Sequence, residues 1–326
     1  LTTQGVAAWN TMITGYVHHG FPEIALDYFD RMKCNGLPPD SDTFHYVLEA
    51  YNGSCLRTLD KGKERHIEIL HQGYLKKDTL IGNALLDMYS RLHAPLEAQE
   101  VFDVLPIRGV TSWTTFITGY LDQGKSVEPL KYFDCMQAEG VLSSTLTLVY
   151  ILKACGNVYA IDKGQEIHAE VEKRALLQED LNIGNNLVDM YIKYRLFKEA
   201  EHVFDKLLVR DRDLWISLIA GYTQLGECRE ALNYFEQMLS EGFCPDVITF
   251  IFMLRTCGNM MAIGKGKKIH ASIVSSGLLE KDIVLATALV DMYSKCGVPA
   301  KAQQILEELP VRNSFIWSAL IGGYTQ

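Results

Sequence analysis

The sequence predicts an all-α protein built from repeated helix-turn-helix hairpins, and three periodic features carry that prediction. The four tryptophans, at positions 9, 113, 215 and 317, are separated by 104, 102 and 102 residues. Each lies in similar text: AAWNTMITGY, TSWTTFITGY, DLWISLIAGY and FIWSALIGGY. Two further strings recur in the same register, VLEAYNG, ILKACGN and MLRTCGN, then NALLDMYSR, NNLVDMYIK and TALVDMYSK. Self-similarity at a fixed period is the signature of a repeat architecture.

Each unit of about 102 residues divides into three related pieces. The chain starts with Leu1 instead of Met and stops within a pattern, so we expect it to be part of a longer protein. The pieces are 6–40, 41–78, 79–109, 110–144, 145–180, 181–211, 212–246, 247–282 and 283–313, and residues 314–326 begin a tenth.

Every piece reads as two helices. In the first piece, apolar residues recur at helical spacing from Trp9 to Tyr16, and His19 and Gly20 interrupt the pattern. A second apolar stripe follows and ends at Asn35-Gly36. Such a hairpin cannot bury its apolar face alone. We therefore expect neighbouring hairpins to stack into an α-solenoid with a concave inner surface.

Composition excludes several classes of function. The net charge of -9 argues against broad electrostatic binding to duplex nucleic acid, although base-by-base reading of a single strand needs less positive charge. The eight cysteines form no CxxC pair, so we predict no metal site. No apolar run approaches the roughly 18 residues of a membrane span, and nothing resembles a targeting peptide. We expect no cofactor, no membrane and no small-molecule substrate.

The string GKGKKIH at 264–270 looks like a phosphate-binding loop, but it recurs as DKGKERH and DKGQEIH in the two preceding units. A phosphate loop would occur once, between a strand and a helix. Eight of the nine complete pieces carry Ala or Gly at this position of the repeat. We interpret Gly62, Gly164 and Gly266 as small residues that let the two helices of a hairpin approach closely.

The other repeated residues also favour structural roles over chemistry. We assign His66, His168 and His270 to helix surfaces or inter-repeat contacts. The tryptophans and the tyrosines of the DMY strings are expected in the core instead of stacking on bases. The DMY aspartates, Asp87, Asp189 and Asp291, are expected to make interhelical polar contacts. No polar residue outside the repeat pattern remains to build an active site, so we predict no catalytic residue and no enzyme.

These strings resemble the pentatricopeptide repeat family. The W-N/T-x-x-I-x-G-Y…A-L-x-Y-F-x-x-M…P-D text carries the likeness, and the alternating piece lengths are similar to its plant PLS subclass, with P, L and S motifs in rotation. The resemblance covers nearly the whole chain. It implies a right-handed superhelix that binds single-stranded RNA in mitochondria or chloroplasts, with one motif facing one base and the N-terminus toward the RNA 5′ end.

The family reads bases mainly with the fifth and last residues of a motif. Asn at the fifth position favours pyrimidines and Thr or Ser favours purines, while a final Asp leans to U or G and a final Asn to C or A. Carried over, the resemblance implies these assignments: Asn10 with Asp40 for U, Asn83 with Gly109 for a pyrimidine, Thr114 with Ser144 for a purine, Asn185 with Asp211 for U, Thr287 with Asn313 for A, and Ser318 for a purine.

Some positions depart from the family pattern. Ile216, which pairs with Asp246, can neither donate nor accept a hydrogen bond, and the L pieces offer only His45, Val149 and Ile251. The implied RNA site is 5′-U-n-Y-R-n-U-n-n-A-R-3′. The family also places an aliphatic second residue against the bases. Leu80 and Val284 fit this rule, Ala7 and Phe315 are tolerable, and Asn182 and Asp213 do not fit.

Two functions follow from the resemblance. The first is a specificity factor that binds organelle RNA for C-to-U editing or other RNA processing. In that subclass, catalysis belongs to a C-terminal deaminase-like domain with an H-x-E and Cys zinc signature, which these residues lack. The second is a structural or protein-binding solenoid, such as a component of an organelle ribosome or editing complex. The departures at Gly109, Ser144 and Ile216 and the acidic charge favour the second.

Overall fold

The computed structural model describes residues 2–53, 59–178, 180–279, 282–308 and 314–324. These residues form nineteen α-helices and two short 3-10 helices, and no β-strand lies among them. The helices fall into two compact units, Leu1–Ile167 and His168–Gln326.

The first unit holds nine helices and the start of a tenth. Its first helix begins at Thr2, upstream of the piece boundary predicted at Val6. The helices are α1 (Thr2–His18), α2 (Pro22–Cys34), α3 (Ser41–Gly53), α4 (Leu59–Gln72), α5 (Thr79–Arg91), α6 (Pro95–Val104), α7 (Val110–Asp122), α8 (Val127–Ala138), α9 (Thr145–Val158) and α10 (Ile161–Lys173), with a 3-10 helix at Tyr74–Lys76.

The second unit continues the alternation after a 3-10 helix at Leu176–Gln178. Its helices are α11 (Leu181–Lys193), α12 (Phe197–Lys206), α13 (Arg212–Gln224), α14 (Cys228–Ser240), α15 (Val247–Asn259), α16 (Ile263–Ser275), α17 (Ile283–Lys295), α18 (Pro299–Glu308) and α19 (Ser314–Tyr324).

Within each unit the helices pack in two layers. The odd-numbered helices, which are the first helices of the hairpins, pack side by side, as α5 does on α7 and α15 on α17. The even-numbered second helices pack against their own first helix and against the first helix of the next hairpin, as α14 does. This packing confirms the predicted all-α solenoid.

The residue between two hairpins caps the next first helix. The Asp246 carboxylate accepts a hydrogen bond from the Thr249 backbone N–H at 2.8 Å, and Asp211 accepts one from Leu214 N–H at 2.8 Å. Such a cap satisfies a backbone donor that has no partner inside the helix and stabilises it by about 1 kcal/mol. The same side-chain acceptance occurs at Asp40, Asp78, Ser144, Asp180 and Asp282.

The repeated aromatic residues fill the core, as predicted for most of them. Trp113 and Trp215 are buried, each in edge-on contact with a phenylalanine of the preceding second helix. The tyrosines of the three DMY strings are buried as well. Trp317 is an exception, because about half of its surface is exposed on α19.

Glycines permit close contact between successive first helices. A Cβ atom placed on Gly221 of α13 would overlap Ile192 Cγ2 on α11, and one on Gly119 of α7 would overlap the Ser90 side chain on α5. A larger residue at either position would force these helices apart. Gly119 and Gly221 of the repeated GY text are therefore packing residues, whereas a Cβ on Gly15 of α1 would have no atom within 4 Å among the described residues.

The glycines of the GKGKKIH strings are also packing residues, but the predicted partner was wrong. A Cβ on Gly266 would lie 2.6 Å from Met292 Sδ, and one on Gly62 would lie 3.1 Å from Met88 Cε. Both methionines belong to the first helix of the next hairpin. The small residue therefore brings two hairpins together, and not the two helices of one hairpin.

The lysine of this string forms an ion pair with the preceding second helix. Lys265 Nζ lies 2.9 Å from Glu236 on α14, and Lys163, one unit earlier, lies 2.8 Å from Asp134 on α8. These pairs are partly exposed, so each contributes at most about 1 kcal/mol. They link consecutive second helices and give Lys265 a structural partner.

The repeated histidines contact the repeated tyrosines, which is an inter-repeat role. His66 Nδ1 lies 3.0 Å from Tyr89 Oη, and the same atoms of His168 and Tyr191 lie 2.8 Å apart. The third pair, His270 and Tyr293, has a distance of 3.0 Å. Burial lowers the pKa of all three histidines, and burial raises the pKa of Tyr191 to about 12. A neutral imidazole that accepts a hydrogen bond from the tyrosine hydroxyl is consistent with the lowered pKa of the histidines and the raised pKa of Tyr191.

The DMY aspartates form ion pairs inside their own helices, so the interpretation as interhelical contacts was wrong for Asp189 and Asp291. Asp189 pairs with Lys193 at 2.8 Å, and Asp291 pairs with Lys295 at 2.7 Å. Asp87 pairs with Arg91 at 3.0 Å. Each ion pair joins residues one helical turn apart in the same helix, a spacing that brings side chains together without any tertiary contact.

We expect Gly221→Ala to lower the free energy of unfolding by about 1–3 kcal/mol, because the new methyl group overlaps the stiff Ile192 side chain. Gly264→Ala is the control, since no atom lies within 4 Å of its new Cβ and helix propensity favours Ala by up to about 1 kcal/mol. Urea unfolding followed by circular dichroism measures both. Equal effects of the two substitutions would contradict this role of Gly221.

We expect stability to fall as the pH drops from about 7 to about 5. The folded pKa of His66, His168 and His270 is lowered, so unfolded chains take up protons first, near about pH 6.5, and folding loses free energy below that pH. A His66→Gln, His168→Gln, His270→Gln variant should lose much of this dependence in thermal unfolding. The exposed pair His18→Gln, His19→Gln should retain it.

Candidate functional site

The proposed reading residues lie at the junctions between hairpins, where one first helix meets the start of the next. Asn10 on α1 donates from Nδ2 to Asp40 Oδ1 at 2.9 Å. Thr43, the third residue of the next piece, donates to Asn10 Oδ1 at 2.6 Å. The fifth and last residues of the first piece are therefore joined, and a residue of the second piece completes the cluster.

The hydrogen bonds at this junction keep the Asp40 carboxyl ionised. Burial raises its pKa, but hydrogen bonds from the side chain and backbone of Thr43 and from Asn10 outweigh that effect. The net pKa lies below the ordinary value, so Asp40 is an acceptor at neutral pH. A carboxylate cannot donate, which forces the Asn10 amide nitrogen to face Asp40.

The second unit contains a similar pair. Asn185 Nδ2 donates to Asp211 Oδ2 at 3.0 Å. Leu214 takes the place that Thr43 has in the first junction, and Asn185 Oδ1 is buried without a hydrogen-bond partner among the described residues. A buried acceptor without a partner costs about 1–3 kcal/mol.

Two further junctions in the first unit use hydroxyl groups. Ser112 Oγ donates to Asn83 Oδ1 at 2.6 Å, and Gly109 contributes no side chain there. Thr114 Oγ1 lies 2.7 Å from Thr147 Oγ1, which in turn lies 2.8 Å from Ser144 Oγ. The fifth residue thus contacts the next piece at both junctions.

The remaining candidates make no such pair in the described structure. Ile216 is half-buried, and Asp246 bonds to Thr249 instead. Thr287 donates to the Ile283 carbonyl oxygen at 2.7 Å. Ser318 donates in the same way to Ser314, at 2.9 Å. Asn313, the predicted partner of Thr287, lies outside the described residues.

Exposed aliphatic side chains accompany these junctions at the second position of the pieces. Leu80 and Val284, which fit the family rule, are more than half exposed, and so are Leu146 and Ile248 in the L pieces. Asn182, which does not fit, is exposed as well. Exposed apolar groups one turn from half-buried polar groups form a surface that accepts a flat ring and its polar edge.

Two grooves follow these positions. Asn10 and Asp40 line a groove of about 820 Å³ between α1 and α3. Thr287 and Val284 line a groove of about 370 Å³ next to Ile251 on α15. Each groove runs between consecutive first helices, so the polar reading positions at these two places are open to a ligand.

Neither a metal cluster nor a membrane-spanning helix lies in the described part of the chain. No three or more His, Cys, Asp or Glu side chains in it are placed to hold a metal ion. No helix within the described ranges combines the length and apolar character that a bilayer span requires.

The sequence reasoning missed the third residues, Thr43, Ser112 and Thr147. They are buried, and their hydroxyl groups bond to fifth residues of the preceding pieces. A signal existed, because a Ser or Thr stands at the third position of all three pieces.

Stacked hairpins with a polar cluster at several of their junctions define a helical-repeat scaffold. Models of the PPR repeat family match residues 4–52 and 210–259, and models of the PPR repeat match 111–141 and 185–211. The chain belongs to the pentatricopeptide repeat family, and these repeats form a scaffold, not an enzyme.

Similar proteins come from Arabidopsis thaliana and maize. One Arabidopsis pentatricopeptide repeat-containing protein is 35% identical over 98% of this chain and 46% of its own length. A mitochondrial one is 31% identical over 97% of this chain and 56% of its own length. Other Arabidopsis relatives are named chloroplastic. The chain spans about half the length of the relatives it matches.

Solved structures share the fold. The crystal structure of the pentatricopeptide repeat protein PPR10 from maize is 18% identical, with a TM-score of 0.67 over 97% of this chain and 51% of that chain. PPR10 in complex with an 18-nt psaJ RNA element matches with a TM-score of 0.68, over 98% of this chain and 53% of that chain.

We expect Asn10→Ala to destabilise the chain more than Asn185→Ala. The first change removes bonds to both Asp40 and Thr43 and costs about 1–2 kcal/mol, whereas the second removes one bond together with an unpaired acceptor. Hydrogen exchange of the surrounding helices measures each effect locally, which suits a repeat array. The opposite order would contradict the described hydrogen bonding.

Proposed function

We propose that this chain binds single-stranded RNA and reads it base by base with the fifth and last residues of its motifs. The observation that carries the proposal is the recurrence of a hydrogen-bonded polar cluster at the junctions. Asn10 with Asp40 and Asn185 with Asp211 are joined directly, and each asparagine retains an amide N–H for a ligand. The reading residues are those assigned by the family resemblance.

Physical chemistry supports a single strand as the ligand. An unpaired base exposes its Watson–Crick edge, which short amide and hydroxyl groups can bond, and its flat faces, which aliphatic groups can cover. Leu80 and Val284 offer such cover beside Asn83 and Thr287. A net charge of -9 disfavours duplex binding through phosphates. The shared fold with PPR10, whose RNA complex is solved, also supports the proposal.

We propose the P, L and S motif order with the boundaries predicted from the sequence. The helix bounds support that division, since α3, α5, α7 and α9 begin at 41, 79, 110 and 145. In this register the first unit reads U-n-Y-R-n and the motifs that follow read U-n-n-A-R. Ile216 and the L-motif residues contribute no polar reading group.

We further propose that the whole protein acts in a mitochondrion or chloroplast as a specificity factor for C-to-U editing or other RNA processing. The organelle names of Arabidopsis relatives support the location. The alternative is a protein-binding solenoid in an organelle ribosome or editing complex. Ile216 favours it, because this apolar side chain occupies a reading position.

The test is binding of the chain to an RNA with the site 5′-U-n-Y-R-n-U-n-n-A-R-3′ and to its scrambled version. Asn185→Thr should change the preference at the sixth base from pyrimidine to purine by about tenfold in Kd. Asn186→Thr is the matched control, because Asn186 lies one residue along α11 and bonds to the Asn182 backbone.

Fluorescence anisotropy with the four possible bases at position six measures the preference. Weak and equal binding of the site and its scrambled version would overturn the proposed function and favour the protein-binding alternative. A preference that moves with Asn186 instead of Asn185 would show that the motif register is wrong.

A further inference from the structure

The hydroxyl groups of Thr43, Ser112 and Thr147 have no role in the two-residue reading scheme. Each is the third residue of its motif, is buried, and bonds to the fifth residue of the motif before it. We propose that this third residue is a positioning residue, which fixes the donor and acceptor orientation of the reading side chain and thereby sets base specificity. The inference rests on the proposed RNA-binding function.

At the first junction, counting hydrogens fixes the orientation. Asp40 only accepts, so Asn10 presents its amide nitrogen to Asp40 and its oxygen to Thr43. The Thr43 hydroxyl accepts from the Asp40 backbone N–H at 3.1 Å, and its single hydrogen lies between two acceptors, Asn10 Oδ1 at 2.6 Å and Asp40 Oδ1 at 2.7 Å. Thr43 thus faces the oxygen of the Asn10 amide, while Asp40 faces its nitrogen.

At the second reading junction Ser112 is the positioning residue, and no carboxylate assists it. Gly109 has no side chain, so no last-residue carboxylate orients Asn83. Ser112, whose side chain is 1% exposed, donates to Asn83 Oδ1 at 2.6 Å. With its oxygen occupied, Asn83 presents its NH₂ group to the base. A flipped amide would present an acceptor and reverse the pattern that the base meets.

At the third junction the hydrogen bonds between three hydroxyl groups all run in one direction. Thr114 donates its single hydrogen to the Val110 carbonyl oxygen at 2.8 Å. The contact with Thr147 therefore has Thr147 as donor, and Ser144 in turn donates to Thr147. Thr114 is left as an acceptor with one free lone pair, so it can take an N–H from a base.

Asn185 provides the internal comparison. The third residue of the next motif is Leu214, which has no hydroxyl group. Asn185 Oδ1 has no hydrogen-bond partner among the described residues. Only Asp211 orients this amide. The presence of the hydroxyl thus coincides with a hydrogen-bonded oxygen on the reading residue in the first unit, and its replacement by Leu leaves that oxygen without a partner among the described residues.

Ser112→Ala provides the test, because in the described structure the Ser112 hydroxyl bonds to Asn83 and Gly109 adds no competing contact. Kd values are measured for four RNAs that differ only at the third base. We expect the pyrimidine-to-purine preference at that base to fall by about fivefold, which corresponds to one lost hydrogen bond. Ser112→Thr should retain the preference, since Thr stands at the same place in three other motifs, as Thr43, Thr147 and Thr249.

Ser294→Ala is the matched control. Ser294 is also a buried serine on a first helix, and its hydroxyl has no partner among the described residues. This variant should leave the preference at the third base unchanged. Circular dichroism and thermal unfolding establish that both alanine variants are folded.

The outcomes separate the two proposals. If the unaltered chain shows no base preference at any position, the proposed function fails and the inference fails with it. If the unaltered chain prefers pyrimidines at the third base and Ser112→Ala keeps that preference, only the inference fails. A uniform loss of affinity for all four RNAs would also overturn it, because a merely structural role predicts that result.

Discussion

The structure depends on the junction where the last residue of one motif caps the first helix of the next. Asp211 and Asp246 accept backbone N–H groups that would otherwise lack partners, which fixes where each first helix begins. A fixed start sets the rotation of the helix about its axis. That rotation decides which residues meet the preceding first helix, as Gly221 meets Ile192.

The capping residue is shared between stability and the proposed reading of RNA. Asp40 caps α3 and bonds to Asn10 with the same carboxylate oxygen, while Thr43 bonds to both residues. A change of base preference at such a junction therefore also changes the stability of the stack. Gly109 and Ile216 show that the stack tolerates loss of one reading group at a junction, because packing of the helices supplies most of the stability.

The sequence predicted the fold well because its evidence was periodic. Because the sequence repeats about every 102 residues, equivalent residues make equivalent contacts in each unit. The positions of the tryptophans and glycines therefore identified a stack of helical repeats. The wrong predictions concerned which residue each repeated residue contacts. Gly266 was assigned to its own hairpin and lies against Met292 of the next, since a repeated position does not say which neighbour it touches. Asp189 pairs within its own helix, because side chains one turn apart meet without tertiary contact.

The sequence by itself determined the helical pattern, the repeat boundaries that we propose and the reading residues implied by resemblance. Only the tertiary structure decided which side chains from different motifs share a hydrogen bond. Ser112 and Asn83 are 29 positions apart, and the pairing of His168 with Tyr191 spans 23. The physical reason is that a hydrogen bond depends on distance and angle between two helices, whereas periodicity records only the spacing along one chain.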